Sequence, residues 1–284
     1  MLVLDIKHLN KHYEHFSLKD VSFQLEKGYI MGFIGINGAG KTTTIKSILN
    51  LISMDGGEIH VLGKNITQHE VELKQEIGYA FGDINFYSRN KIKTLTNVIK
   101  TFYRNWDDNT YRKYLKKFNL IEDKKIAELS TGMKVKYSLA LALSHGAKLL
   151  ILDEPTSGLD PAARDNLLSI FQELVQDGEI SILFSTHVTS DLEKCADYIT
   201  YIHDGQIVNS AEKEAFVDAF RLLNGTKEQL EQVKDRLISY KTNSFGFTGL
   251  IHTKDFEPSP GIVSAIPNLE EIMIYYSRKE EAYV

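Results

Sequence analysis

A glycine-rich stretch near the start of the chain has the residue types and spacing that a polyphosphate site needs. It reads Gly35-Ile36-Asn37-Gly38-Ala39-Gly40-Lys41-Thr42 and fits the pattern G-x-x-x-x-G-K-S/T. Glycines let successive backbone N–H groups turn inward, and the helix that follows directs its partially positive end at the anion. The pattern assigns the Lys41 ammonium to the β- and γ-phosphates and the Thr42 hydroxyl to Mg²⁺. We therefore predict a phosphate-binding loop here.

Two neighbouring carboxylates end a second apolar run, Leu149-Leu150-Ile151-Leu152-Asp153-Glu154. Beside a phosphate loop, one acid of such a pair helps to hold Mg²⁺ and the other orients and deprotonates the attacking water. We assign Asp153 to the metal and Glu154 to the water. The alternative is a solvated acidic turn after a strand, which the neighbouring phosphate loop disfavours.

The elements around these residues predict an α/β fold with a mainly parallel core sheet. Tyr29–Gly35, Lys148–Asp153 and Glu179–Ser185 are apolar runs typical of strands buried on both faces. Apolar residues at helical spacing predict a helix over Thr42–Ile52. Lys, Leu, Tyr and Phe recur at helical spacing from residue 90 to about 147. This pattern predicts a helical insert between strands.

The sequence pattern changes again after about residue 218. Thr226-Lys227-Glu228-Gln229 is a capping box that predicts a helix to about Tyr240, and Asn268-Leu269-Glu270-Glu271 opens a final short helix in the same way. We therefore predict a domain over residues 1–218 and a small α+β accessory segment over residues 219–284. This segment could steady a dimer, regulate it, or cap the core, and the sequence leaves these three roles open.

Composition favours a globular protein and excludes several classes of function. The 284 residues include 33 Lys+Arg against 38 Asp+Glu, for a formal net charge of -5. A dedicated nucleic-acid surface normally shows a basic excess, so we expect no nucleic-acid partner. The single cysteine, Cys195, excludes an internal disulfide framework and suits a reducing cytosol. No stretch approaches the roughly 18 apolar residues of a membrane span, and Asp5 interrupts the first apolar run before signal-peptide length.

The segment Leu129-Ser130-Thr131-Gly132-Met133-Lys134, which we call the signature segment, lies shortly before Asp153. With this segment in that place, the chain resembles the ATP-binding subunits of ABC transporters, whose signature reads Leu-Ser-Gly-Gly-Gln. The resemblance covers residues 1 to about 218. It implies a P-loop NTPase fold with an ABC-type ATPase core, an antiparallel β subdomain and a helical subdomain inserted at about 88–147. It also implies ATP and Mg²⁺ as ligands.

Several site residues come from the resemblance alone. Tyr13 takes the place of the aromatic residue that stacks on adenine, although a packed strand residue is the alternative. Asp160 lies in the loop that crosses between subunits, and His187 resembles the switch histidine that contacts the γ-phosphate. ATP would lie between Gly35–Thr43 of one copy and Ser130–Gly132 of another. We therefore expect a homodimer, or a heterodimer with a second ATPase subunit, in the ATP-bound state.

Two positions depart from the family pattern. The family carries a glutamine that touches Mg²⁺ and the attacking water at the start of the helical insert, but Ile77–Asn85 contains none. Asp83 is either a substitute oxygen ligand or a solvated loop acid. A carboxylate would bring to Mg²⁺ a charge that an amide does not. In the signature segment, Thr131 and Met133 replace Gly and Gln, which leaves the Ser130 hydroxyl and the Gly132 backbone as donors.

The resemblance implies the ATP-hydrolysing subunit of a transporter, with Lys41, Glu154 and His187 as its catalytic residues. It places the chain at the cytoplasmic face of the membrane beside separate transmembrane permease chains, and it favours export. The first alternative is a soluble ABC-type ATPase acting in DNA repair or on the ribosome. The second is a P-loop kinase or GTPase outside this family. The sequence lacks the guanine-reading Asn-Lys-x-Asp of a GTPase.

Overall fold

The computed structural model describes residues 1–81 and 88–278. Its strands are β1 (Leu2–Tyr13), β2 (Phe16–Glu26), β3 (Ile30–Ile34), β4 (Gly56–Val61), β5 (Lys64–Asn65), β6 (Ile77–Phe81), β7 (Leu149–Asp153), β8 (Ser181–Thr186), β9 (Tyr198–His203), β10 (Gln206–Glu212), β11 (Phe220–Gly225), β12 (Ser239–Thr242), β13 (Phe247–His252) and β14 (Val263–Ala265). Its helices are α1 (Lys41–Ile48), α2 (Glu70–Leu73), α3 (Ile92–Ile99), α4 (Asp108–Lys117), α5 (Thr131–Ser144), α6 (Pro161–Val175), α7 (Thr189–Cys195), α8 (Lys213–Asp218), α9 (Lys227–Val233) and α10 (Leu269–Arg278).

The chain divides into two compact units, Met1–Val208 and the residues from Asn209 onward. The sequence pattern placed the change at about residue 218, which is the end of α8. The structural division falls earlier, within β10, because α8 belongs to the second compact unit. Each unit is therefore described by itself.

A six-stranded sheet forms the centre of the first unit, in the order β10-β9-β3-β8-β7-β6. β3 pairs in parallel with β8 and β9, and β7 pairs in parallel with β6 and β8. All residues of β3, β7 and β8 are buried, which explains why these strands read as apolar runs. The predicted α/β fold is confirmed. The carboxyl ends of these strands meet at one edge of the sheet.

The first unit also contains an antiparallel sheet, with the strand order β2-β1-β4-β5. Its apolar side chains, including Leu4, Phe23 and Ile59, share one buried cluster with Phe33 and Ile151 of the central sheet. Each such side chain contributes about 1.5–3 kcal/mol when it is fully buried. This shared core fixes the antiparallel β subdomain against the central sheet.

Three helices, α3, α4 and α5, lie between β6 and β7 and form the predicted helical insert. A buried hydroxyl joins them: Thr96 Oγ1 of α3 lies 2.8 Å from the hydroxyls of Tyr111 in α4 and Tyr137 in α5. Burial raises the pKa of Tyr111 to about 12 and raises the pKa of Tyr137 as well. Both phenols therefore stay protonated and able to donate. We call these three residues the hydroxyl triad.

Two helices are shorter than the sequence predicted. α1 ends at Ile48 rather than Ile52, because Asn50 adopts a left-handed φ of 51° and its N–H donates to Ser47 O. α9 ends at Val233 rather than near Tyr240 because the following residues form a 3₁₀ turn and then β12. The predicted start of α9 is confirmed: Thr226 forms its capping box.

The second unit contains its own antiparallel sheet, in the order β12-β13-β11-β14. One buried apolar cluster in this unit contains Leu223, Leu230, Val233, Phe247 and Ile251. Together with α9 and α10, this sheet forms the α+β segment that the sequence predicted. Across both described ranges, no helix has the length and apolar character needed to cross a bilayer.

Candidate functional site

The predicted phosphate loop connects β3 to α1 through backbone conformations that favour glycine. Gly38 and Gly40 have φ values of 84° and 114°. A Cβ on Gly40 would lie 2.7 Å from Leu18 Cδ2, whereas a Cβ on Gly38 would meet no atom within 4 Å. The loop is therefore packed against the protein at Gly40 and open at Gly38, an arrangement that suits an incoming phosphate.

Lys41 is the first residue of α1, and its side chain is 6% exposed. Its ammonium donates to the carbonyl oxygens of Gly35, at 2.7 Å, and Ile36, at 3.3 Å. It also lies 3.2 Å from Glu154 Oε1. A buried ammonium requires such partners because loss of hydration disfavours an isolated charge. The cation is thus held inside the phosphate loop.

Thr42 and Asp153 come from different motifs and meet in the fold. Thr42 Oγ1 donates to Asp153 Oδ2 at 2.8 Å. Mg²⁺ prefers oxygen ligands, and one or two protein oxygens suffice when phosphates and water complete its shell. The Thr42–Asp153 pair fits that requirement. Within residues 1–81 and 88–278, no group of three or more His, Cys, Asp or Glu side chains could hold a metal.

Glu154 follows β7 directly and has a φ of 51°, which is uncommon for a residue with a side chain. One carboxylate oxygen, Oε2, lies 2.9 Å from His187 Nδ1, and the other faces Lys41. The glutamate side chain is 23% exposed and the histidine side chain 45%. The three residues predicted to be catalytic therefore gather at the carboxyl ends of β3, β7 and β8.

Ser185 is a residue of this site that the sequence analysis missed. It is fully buried on β8, directly opposite Asp153 of β7. Its hydroxyl donates to Asp153 Oδ1 at 2.5 Å and accepts the Glu154 N–H at 2.9 Å. The only sequence signal is a polar residue within an apolar strand. We call the connected residues the acid network: Lys41, Thr42, Asp153, Glu154, Ser185 and His187.

Asp191 forms a second buried contact that the sequence analysis missed. It is 1% exposed and accepts from Thr156 Oγ1 at 2.6 Å. Arg164 Nε lies 3.8 Å from its other carboxylate oxygen. Asp191 belongs to α7 and Arg164 to α6, whereas Thr156 lies in the loop after Glu154. The contact therefore ties that loop to two helices.

Ser130 and Asp160 cap helices in this structure. Ser130 Oγ accepts the Met133 N–H and so caps the start of α5. Asp160 accepts from two backbone N–H groups at the start of α6. In the described part of the chain, no hydrogen bond or ion pair joins Ser130 to the acid network. The predicted signature residues Ser130, Thr131 and Gly132 thus remain apart from it.

Tyr13 ends β1 and is 42% exposed. The Lys11 ammonium lies 5.5 Å from the centre of its ring and also pairs with Asp55 at 3.0 Å. The His12 backbone N–H and the Lys11 ammonium both donate to Asp55 and lower the pKa of that carboxyl. An exposed ring of this kind can stack on a base.

Asp83, the proposed substitute metal ligand, lies outside the described residues. Its assignment stays a prediction. Asn37, Ala39 and Thr43, the other predicted loop residues, lie within or directly after the phosphate loop.

Sequence comparison finds similar proteins over most of the chain. The family described as "ABC transporter" matches residues 18–157. The chain is 30% identical to the ABC transporter ATP-binding protein YtrB of Bacillus subtilis (strain 168), over 90% of this chain and 91% of that protein. It is 33% identical to the bacitracin transport ATP-binding protein BcrA of Bacillus licheniformis, over 68% of this chain and 63% of that protein.

Structural comparison gives the same result. A solved structure described as the ATP-binding subunit of an ABC transporter superposes with a TM-score of 0.68 at 28% sequence identity. The match covers 75% of this chain and 91% of that one.

Proposed function

Because the chain belongs to the ABC transporter family, as an ATP-binding subunit that hydrolyses ATP, we propose that it drives export by closing and reopening a dimer around ATP. The observation that carries this proposal is the position of Glu154. Its carboxylate lies between the Lys41 ammonium and the His187 imidazole, beside the Thr42–Asp153 pair. A carboxylate that can accept a proton from water thus lies beside the groups that would hold the terminal phosphate of ATP.

Hydrolysis needs mainly positioning and neutralisation of charge. The phosphates of ATP offer Lys41 new oxygen partners, which would free Glu154 from its ion pair. Glu154 would then orient a water and accept its proton as the water oxygen bonds to the γ-phosphorus. The bond from that phosphorus to the bridging oxygen breaks, giving ADP and phosphate. His187 would steady the carboxylate and the γ-phosphate.

Mg²⁺ would be held by Thr42 Oγ1 and the Asp153 carboxylate, where its charge would offset that of the phosphates. Asp83 is proposed as a further oxygen ligand. An Asp83→Ala variant should then need more Mg²⁺ for half-maximal hydrolysis. An unchanged Mg²⁺ midpoint would remove Asp83 from the metal site.

A second copy would complete the site. Among the described residues, no hydrogen bond or ion pair links the Ser130 side chain to the acid network of its own chain. Ser130 lies at the start of α5, where helix N–H groups attract anions. We propose that Ser130, Thr131 and Gly132 of one copy contact the ATP held by Gly35–Thr43 of the other, with Asp160 in the crossing loop and Tyr13 on the adenine. ATP binding energy would then favour the closed dimer.

Separate permease chains would carry the substrate, and this chain would bind them at the cytoplasmic face of the membrane. The similarity to proteins named for ABC transport and bacitracin transport supports a transport role over DNA repair or translation.

The dimer proposal predicts that the purified protein associates with ATP and not with ADP, measured by light scattering after size-exclusion chromatography. Hydrolysis per chain should fall when the protein is diluted below the dissociation constant of the dimer. A constant rate per chain at every dilution would overturn the proposal. Vesicles that contain the permease test the direction: substrate should leave the compartment that holds ATP.

A further inference from the structure

The hydroxyl of Ser185 contacts both acids of the site. It accepts the Glu154 N–H at 2.9 Å and donates to Asp153 Oδ1 at 2.5 Å. An N–H can only donate and an ionised carboxylate can only accept, so the hydroxyl hydrogen has one possible direction. The three groups therefore form a fixed chain from the Glu154 backbone to the Asp153 carboxylate. The second oxygen of Asp153 stays with Thr42.

The backbone of Glu154 depends on this contact. Regular pairing between β7 and β8 ends at Asp153 and Ser185, so Glu154 is the first residue beyond the ladder. Its φ of 51° lies in the left-handed region, which a residue with a side chain keeps only when its surroundings hold it. The Ser185 hydroxyl accepts the N–H of Glu154 at the point where the strand no longer does.

We infer that Ser185 is a positioning residue, which holds the backbone of Glu154 so that its carboxylate stays between Lys41 and His187. The inference rests on the proposed role of Glu154 in activating water. Ser185 is fully buried, so it acts through the two acids and does not itself face solvent. Loss of its hydroxyl should therefore slow turnover more than it weakens nucleotide binding.

The same strand offers a matched control. Ser181 begins β8, is fully buried, and its Oγ accepts a backbone N–H, that of Gly28, at 2.8 Å. Ser181→Ala thus removes a buried hydroxyl that accepts a backbone N–H on the same strand, as Ser185→Ala does, but away from the two acids. Any effect of a lost buried hydroxyl on folding should appear in both variants.

The experiment compares Ser185→Ala with Ser181→Ala in the full chain, with kcat, KM, nucleotide affinity and the thermal unfolding midpoint measured for each. We expect Ser185→Ala to lower kcat about tenfold or more, since small misplacements of catalytic groups cost this much or more. Nucleotide affinity should stay within about twofold, a factor that corresponds to a small fraction of the binding free energy. Ser181→Ala should keep both values. If the kcat of Ser185→Ala stays within about twofold of the wild-type value, the inference is overturned.

Two further variants keep the test valid if alanine disturbs folding. Ser185→Thr and Ser185→Val add nearly the same volume and differ in the hydroxyl. The threonine variant should be the more active, and equal activity would overturn the inference.

A double variant separates this inference from the proposed function. If Ser185 acts through Glu154, adding Ser185→Ala to Glu154→Gln should lower the rate little further, because residues that act as a unit are not additive. Additive losses would overturn the inference alone. Wild-type hydrolysis by Glu154→Gln would instead overturn the proposed role of Glu154.

Discussion

The acid network and the signature segment lie in the same unit but differ in how far one chain completes them. Lys41, Asp153 and Glu154 already contact their neighbours through hydrogen bonds and ion pairs, and the strands of one parallel sheet position them. Within the described residues, the Ser130 side chain hydrogen-bonds only to the first turn of its own helix. The carboxylate proposed as the base is thus positioned within one chain, whereas the proposed ATP contact at the start of α5 is separate from that network.

The largest expected effect tests the first of these regions. Glu154→Gln should lower hydrolysis by about a hundredfold or more, since a positioned general base contributes that much. Nucleotide binding should persist and closed dimers should accumulate, as measured by nucleotide titration and light scattering. Glu173→Gln on the exposed surface of α6 is the control and should keep full activity. A Glu154→Gln variant with normal turnover would contradict the comparison.

Lys41→Ala should weaken nucleotide binding by roughly tenfold to a hundredfold, the loss expected for hydrogen bonds to a charged group. The change also leaves Glu154 without its cation. Equilibrium titration with a fluorescent nucleotide measures the affinity. Lys46→Ala, on the exposed side of the same helix, should bind normally. Equal affinities in both variants would remove Lys41 from the phosphate site.

Ser130→Ala should lower hydrolysis about tenfold, comparable to the loss of one hydrogen bond to a charged group. The variant also loses a helix N-cap, worth about 1 kcal/mol. Thr226→Ala removes the N-cap of α9 in the second unit and serves as the control. The unfolding midpoint should fall in both, and hydrolysis only in Ser130→Ala.

Mixing variants sharpens the comparison further. If each site combines Glu154 of one copy with Ser130 of the other, a dimer of Ser130→Ala and Glu154→Gln chains contains one intact site. The mixture should therefore hydrolyse ATP faster than either variant alone. If both residues serve the same site from one chain, every site carries a defect and mixing restores nothing.

The smallest expected effect concerns pH and the far end of α5. His145 is buried, stacks on Tyr103 at 3.7 Å and lies 3.0 Å from the Gln75 carbonyl through Nδ1. Burial lowers its pKa from the usual 6.5, and the hydrogen bond to Gln75 only partly opposes this. Above pH 6.5 the histidine is neutral in both states; below it, the unfolded chain binds the proton first.

The free energy of unfolding should therefore fall as the pH drops from about 6.5 towards the depressed folded pKa of His145. His145→Phe keeps a ring against Tyr103 and cannot ionise. Between pH 7.5 and 5.5, the free energy of unfolding in urea should decline less for this variant than for the wild type. The difference should be about 1 kcal/mol, the scale of the effect of one titrating group. Parallel declines would show that His145 does not control this dependence.

The sequence predicted the parts of the site that lie within contiguous patterns. Lys41 and Thr42 were identified because the phosphate loop, its strand and its helix are adjacent along the chain. Ser185 and Asp191 were missed because their partners depend on the register of β7 with β8 and on the packing of α7. The end of α9 was wrong for a similar reason: residues near Tyr240 pair with β13, and a local helical pattern does not contain that information.

The hydroxyl triad has a mechanical consequence for the helical insert. Thr96, Tyr111 and Tyr137 tie α3, α4 and α5 together at one buried point. Bending any one of these helices away from the others would break a buried hydrogen bond and leave its polar groups unsatisfied. The three helices should therefore resist separation at this point, so a shift of α5 would tend to carry α3 and α4 with it.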